Sequence, residues 1–293
     1  MCTNPEGFGD DSNSEAYSVE NIMKRLKSPS LDRETICLTG GEPTAHPYFF
    51  DLMENLRERF PENSLIIATN GRMFSYMPFL KKFMRFDPIK IEIPLHGSTA
   101  QLHDAITRSP GSFDQALAGI KNFLKIKEPH QELELRIIIT KINLFDIGNI
   151  LELIIKEISE TDRVVLIFPE FEGMCGKNKE TVGITYSEVR EKIEDLVGEW
   201  AEKISDLRLY HFPLCTLPVS LWKHTWRTLR GEEVTFVEKC ADCSYKKYCL
   251  GVHKDYLNEI GGEEFYPPLK DILIKEEEAA KMGYHPIMEA SEK

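Results

Sequence analysis

The chain has 293 residues, 42% of them hydrophobic and 29% charged, with a formal net charge of −12. That length can bury a large core in one domain with room for a small appendage, and the acidic balance argues against broad nucleic-acid binding, which needs clustered Lys and Arg. No run approaches the roughly 18 apolar residues of a membrane span and the polar, acidic beginning lacks a signal-peptide pattern, so a cytoplasmic protein with no nucleic-acid or membrane partner is expected.

Ser18 to Leu26 reads as a short helix. Glu34 to Thr44, containing T-I-C-L-T-G-G-E-P, is an apolar run that ends in a glycine turn, hence a buried strand and loop. Tyr48 to Phe60 is helical, with apolar residues three and four apart, and Ser64 to Arg72 is a second strand ending in a glycine turn. Met77 to Phe86 reads as a helix, Ile89 to Ser98 as a third strand, Phe113 to Ile126 as a helix and Leu133 to Ile142 as a fourth strand. Ile147 to Ile158 is helical, Arg163 to Met174 is a fifth strand, and a charged amphipathic helix follows from Thr185 to Asp206. Apolar strands alternating with helices of this length indicate an α/β fold with a parallel sheet and crossover helices. In barrels of this type the chemistry sits at the carboxyl ends of the strands.

The composition changes after that helix. Residues 206–268 hold Trp222, Trp226 and four cysteines without a clear strand period, so they read as a small appended module. Residues 269–293 read as a solvated helix and tail. The seven cysteines are Cys2, Cys37, Cys175, Cys215, Cys240, Cys243 and Cys249. An odd number in a long chain without a signal reads as reducing cytosol, where clustered cysteines suggest metal rather than disulfides. Cys240-x2-Cys243-x5-Cys249 can hold one ion or one edge of a cluster, with Cys215 in P-L-C-T-L-P as a fourth thiolate. Four thiolates suit tetrahedral zinc or a [4Fe–4S] cluster, and the count alone leaves both open. His253 reads as a surface or neighbouring residue rather than a ligand. Cys37 reads as core, and Cys175 as a small buried residue.

In Thr39-Gly40-Gly41-Glu42-Pro43, two glycines let a ligand approach the backbone and Glu42 adds a carboxylate able to hold an ammonium. A plain strand-to-helix turn is the other reading. Taken in order, G-G-E-P, then A-T-N-G at Ala68 to Gly71, then I-P-L-H-G at Ile93 to Gly97, resemble the radical S-adenosylmethionine (SAM) superfamily. His103 to Ile120 and E-F-E-G at Glu170 to Gly173 resemble its peptide-modifying branch. The resemblance covers roughly residues 1 to 255. It implies a partial TIM-type (β/α)6 barrel over residues 1–205. It also implies a C-x3-C-x2-C loop after the first strand, whose three thiolates hold a [4Fe–4S] cluster that binds SAM through its methionine amine and carboxylate. One-electron cleavage of SAM then yields a radical that abstracts hydrogen from substrate. Cys2 in C-T-N-P matches the third cysteine of that loop, so the first two cysteines and the first strand are expected upstream of Met1.

The resemblance further implies that Gly40, Gly41 and Glu42 line the amino-acid end of SAM, with Asn70 and Gly71 at the mouth after the next strand. Ser98 and His96 would sit near the ribose or carboxylate, although His96 suits a packed mouth residue better. Arg136 is a candidate for the carboxylate, and Glu172 with Gly173 for the adenine end. The C-terminal order P-L-C-x-L-P, L-W, C-x2-C-x5-C resembles the auxiliary-cluster extensions of peptide maturases of the His-Xaa-Ser type. That favours an auxiliary [4Fe–4S] cluster on Cys215, Cys240, Cys243 and Cys249. The expected function is a radical SAM enzyme acting on a peptide or protein, reduced by a ferredoxin or flavodoxin. Two competing readings are a non-catalytic iron–sulfur or zinc-binding scaffold and a zinc-stabilised barrel with polar catalysis. The second lacks the paired carboxylates or histidines that general acid–base work needs.

Overall fold

The computed structural model describes residues 15, 17–26, 35–269, 271–276 and 287–292. Cys2 and its C-T-N-P loop lie outside the described residues. β1 (Ile36–Leu38), β2 (Leu65–Ala68), β3 (Lys90–Pro94), β4 (Glu132–Ile138), β5 (Arg163–Ile167), β6 (Leu207–Tyr210) and β7 (Thr225–Trp226) follow one another in chain order in a single parallel sheet. That is the expected α/β architecture of a partial TIM-type barrel. Two compact units divide the chain: one runs to Arg136 and takes in Lys156–Asp162, and the other holds Ile137–Ile155 and the described residues from Arg163 onward.

The first unit carries α1 (Val19–Arg25), α2 (Phe49–Arg59), α3 (Met77–Met84), α4 (Ala100–Thr107) and α5 (Ser112–Ile126). α2 buries Phe49, Leu52, Met53 and Leu56, the spacing of one helical face. α5 does the same with Phe113, Ala116, Ile120 and Phe123. Gly119 on α5 has a packing reason, since a Cβ there would lie 2.2 Å from the carbonyl oxygen of Gly71. α4 carries no separate sign of its own in the sequence. It is set off from α5 by a turn that Asp104 clamps, accepting from Gly111 N (2.6 Å), Phe113 N (2.9 Å) and Ser112 Oγ (2.9 Å). Those donors, the Phe113 amide first, hold the Asp104 carboxyl below its ordinary range.

On β3 and β4, Ile91, Ile93, Leu133 and Leu135 are fully buried on one face. The alternate positions carry charge, and the register sets Glu92 directly opposite Glu134. Two like charges facing each other repel, and both are buried. Lys90 Nζ lies 2.8 Å from Glu92 and 3.2 Å from Glu134, while Arg136 reaches Glu92 at 2.9 Å and Glu134 at 2.7 Å. Two cations and two carboxylates close a neutral quartet.

The second unit carries α6 (Ile147–Glu157, with its last two residues in the first unit), α7 (Gly173–Lys177), α8 (Lys179–Val182), α9 (Tyr186–Ala201) and α10 (Lys254–Glu259). It also has two antiparallel pairs, β8 (Val234–Thr235) with β9 (Val252–His253), and β10 (Ile272–Glu276) with β11 (Ile287–Glu292). Thr185 and Glu188 form a capping box at the start of α9. Phe168 stacks on Tyr186 at 3.6 Å, and Phe212, Tyr256 and Phe265 complete a buried aromatic core around them. This core binds the end of β5 to α9, the loop after β6, and α10.

Three expectations change here. The fifth strand stops at Ile167 instead of Met174, and α7 begins at Gly173. The segment read as a C-terminal helix and tail contributes the β10–β11 ladder. Ile272 and Ile287 anchor it with 8% and 0% exposure, burial that the helix-forming charge run between them does not reveal. Cys37, read as core, is exposed, because β1 is the terminal strand of the sheet order and this position alternates away from buried Ile36.

Candidate functional site

In the first unit the candidate site residues gather at the carboxyl ends of the strands. After β1, Gly40 has φ 134°, a conformation that side chains rarely tolerate. Nothing lies within 4 Å of where a Gly41 Cβ would stand. Among the described residues the Gly41 position therefore has room for a ligand beside it. Glu42 points back into the protein. Its Oε1 accepts from Thr44 N (3.0 Å), Thr44 Oγ1 (2.5 Å) and Thr69 Oγ1 (2.5 Å), and its Oε2 accepts from Asn70 N (2.6 Å). One carboxylate thus ties the turn after β1 to the end of β2. The Asn70 side chain accepts from Arg72 N (3.0 Å), forming the turn that places Gly71 at φ 73°.

Ser98 follows β3 and is half-buried, directly before Thr99, which caps α4. His96 is buried, with its ring stacked on His103, and its backbone N–H donates to His103 Nδ1 (3.1 Å). Arg136 lies near the end of β4 with Glu92 and Glu134 as its anions. The structure thus joins Gly40, Gly41, Glu42 and Asn70 through Glu42, and places Ser98 and Arg136 at the ends of the next two strands. Burial, and then the neighbouring His103, push His96 down to about 3. A depressed histidine contributes stability that is complete above the unfolded value near 6.5 and is lost as pH falls toward 3. Stability is therefore expected to drop by up to about 1.4 kcal/mol per pH unit below pH 6.5. Denaturant melts of His96→Phe should show a flatter acid limb, and an unchanged slope would remove His96 as its source.

In the second unit Glu172 precedes α7 and meets residues that sequence reasoning did not select. Ligand atoms of Glu172, His253 and Asp255 lie within 4.8 Å of one another. The contact with the Asp255 carboxyl, followed by burial, raises the Glu172 carboxyl above its ordinary range. Burial raises neighbouring Glu170, which lies 3.5 Å from His211 Nδ1. His253 is buried and caps α10, accepting from Asp255 N at 3.3 Å, so it is not a surface residue. Cys175 is buried, as read.

Cys215, Cys240, Cys243 and Cys249 line one small cavity of about 20 Å³, together with Phe236, Tyr245 and Pro267. Two short 3-10 turns carry Cys215 and Cys240, and Cys243 N donates to Cys240 O (3.3 Å). Gly251, at φ 90°, aims its N–H at Cys249 Sγ (3.4 Å), the kind of donor a metal thiolate attracts. Burial, and then the charges of Cys249 and Cys240, push the Cys215 thiol up to about 12. Burial also raises Cys240 and Cys249. Sulfurs such as Cys215, Cys240 and Cys249, which burial keeps from ionising by themselves, suit a cationic metal centre, which holds coordinating thiols deprotonated.

The pattern described as Radical SAM superfamily matches residues 1–154, more than half of the chain. The chain belongs to the radical SAM superfamily. Similar curated proteins include the AdoMet-dependent heme synthase of Methanosarcina barkeri (strain Fusaro / DSM 804), 27% identical over 127 residues, 42% of this chain and 34% of that protein. Another is the mycofactocin maturase MftC of Mycobacterium tuberculosis (strain CDC 1551 / Oshkosh), 27% identical over 121 residues, 41% of this chain and 29% of that one. The chain thus spans about a third of the length of these relatives. Among solved structures, Streptococcus suis SuiB bound to precursor peptide SuiA superposes with a TM-score of 0.47 at 16% identity, over 60% of this chain and 37% of that one.

No described helix of this radical SAM protein is long and apolar enough to cross a membrane. Its motifs account for the turn after β1 and the mouth after β2. They do not reveal Thr69, Glu92, Glu134 or Asp255. Thr69 could have been found from A-T-N-G as a hydroxyl beside the asparagine, whereas the others depend on strand register or on long-range contact.

Proposed function

We propose that this chain is a radical SAM enzyme acting on a peptide or protein, with the methionine end of SAM at the G-G-E-P turn and an auxiliary [4Fe–4S] cluster in the four-cysteine cavity. The observation that carries the reading is the Glu42 carboxylate, which joins the ends of β1 and β2, with the Gly41 position clear of the described residues beside them. Family membership supports the SAM chemistry, and the maturase name of one relative supports a peptide substrate. When bound, SAM and a [4Fe–4S] cluster to which Cys2 contributes a thiolate would supply one-electron cleavage and hydrogen-atom abstraction. A low-potential donor of the ferredoxin or flavodoxin class provides the electron, and free thiols fit a reducing cytoplasm.

In this reading the Gly40 and Gly41 backbone receives the amino-acid end of SAM, and Glu42 fixes the turn and adds negative charge near the ammonium. Asn70 and Ser98 offer polar groups at the mouth. Arg136, about a third exposed at its side chain and held by Glu92 and Glu134, is assigned to the carboxylate. Glu172 is assigned to the adenine end. SAM binding measured by calorimetry tests the assignment. Glu42→Ala is expected to weaken affinity at least tenfold, about 1.4 kcal/mol, with circular dichroism retained. Equal affinity in the folded variant would remove Glu42 and the turn from the cofactor site.

A further inference from the structure

We propose that Glu172, His253 and Asp255 form a site for a divalent first-row metal ion at the end of the loop after β5, apart from the four-cysteine cavity, which none of them lines. One ligand atom from each residue lies within 4.8 Å of the others. Oxygen and nitrogen ligands stand roughly 2.0–2.4 Å from such an ion, so two of them are at most about 4.8 Å apart. The three side chains therefore already fall within one coordination sphere.

Separate elements hold them there. Glu172 caps α7, its carbonyl accepting from Cys175 N (3.0 Å) and Gly176 N (3.1 Å). A Cβ on Gly176 would lie 2.4 Å from the carbonyl oxygen of Phe171, so this turn is tightly packed. His253 pairs with Val234 across the β8–β9 ladder, and Asp255 is in the first turn of α10. The Tyr256 hydroxyl accepts from Tyr186 N at 3.3 Å, which ties α10 to α9.

Two observations call for a cation. His253 is 6% exposed, yet its ring makes one hydrogen bond, Nδ1 accepting from Asp255 N, and its other nitrogen has no partner among the described residues. Among the described residues no Lys or Arg forms an ion pair with Glu172 or Asp255, so no fixed cation balances them. Two carboxylates and an imidazole are a donor set that Mn²⁺, Fe²⁺ and Zn²⁺ accept, with positions left open for water or a substrate oxygen. One oxygen of Glu172 is enough for the ion, so the other remains for the adenine end assigned above.

Mn²⁺ is the probe, because its preference for oxygen donors keeps it off the four thiols. The full chain is titrated with Mn²⁺ anaerobically, and the free ion is counted by its electron paramagnetic resonance signal. One ion per chain is expected. Glu172→Gln and Asp255→Asn are each expected to weaken its binding at least about tenfold, with circular dichroism retained. Glu180→Gln, which removes an exposed carboxylate on α8, should bind like wild type. If Asp255→Asn disturbs α10, Glu172→Gln, on a different element, decides. A wild-type chain that takes up no Mn²⁺, or equal affinity in wild type and Glu172→Gln, overturns the proposal. Equal weakening in Glu180→Gln would assign the uptake to diffuse acidic charge and overturn it as well.

Discussion

Lys90→Met is expected to destabilise the fold by about 3–5 kcal/mol, the cost of removing one member of a buried ion-pair network and leaving two buried carboxylates one shared cation. Glu134 is 0% and Glu92 5% exposed, and the register sets them face to face. Without Lys90, Arg136 alone must neutralise both. Methionine fills the space of the lysine stem, so the loss reports charge rather than a cavity. The variant's two carboxylates, left with a single shared cation, can relieve their excess charge by taking a proton, so the deficit should shrink as pH falls. Adding Glu134→Gln to Lys90→Met should restore part of the loss, because it removes the second charge as well. Urea melts of the two single variants and the double variant measure this. A Lys90→Met loss below about 1 kcal/mol, the scale of an exposed ion pair, would mean that the quartet is not electrostatically closed.

On the proposed cluster assignment, replacing Cys240 and Cys249 together by serine is expected to remove about four iron atoms and their sulfide per chain, since a [4Fe–4S] cube needs its thiolates. Loss of a bound metal centre is among the changes that exceed about 4 kcal/mol, so the melting temperature should fall steeply relative to the loaded wild type. Two further comparisons separate the causes. Cys37→Ser, on the exposed edge strand, should change neither iron content nor stability. Wild-type protein that holds zinc and no sulfide would assign the cavity to a single tetrahedral ion.

What the sequence disclosed was local. Gly40, Gly41 and Glu42 announce a turn at a strand end because glycine placement and a nearby carboxylate are visible within five residues. Phe49, Leu52, Met53 and Leu56 announce a helix by spacing alone. The bond from Thr69 to Glu42 crosses 27 residues, and nothing short of folding brings those atoms together. The facing of Glu92 and Glu134 depends on a register that no single strand specifies. β6 and β7 are four and two residues long, too short for a period to emerge. At the C terminus, the strand partners flank a run of Lys, Glu and Ala whose helix propensity dominates any local reading. Cys215 was within reach because prolines bracket it near a cysteine cluster, but its place on the same cavity wall as Cys249 is a tertiary fact.

The loop that carries Cys243 and Cys249 also holds the strand pair at the end of the chain. The Tyr245 hydroxyl accepts from Ile272 N at 2.7 Å, and Glu276 on the same strand takes Lys247 Nζ at 3.0 Å and the Tyr248 hydroxyl. On the proposed assignment, a metal centre bound by Cys243 and Cys249 would stiffen this loop and, through these bonds, the edge it presents to β10. Occupancy of that centre and order in the last strands would then be two readouts of one equilibrium. The free energy that tightens metal binding would be the same free energy that slows amide exchange at Ile272, so shortening the chain at that strand would be felt at the sulfurs.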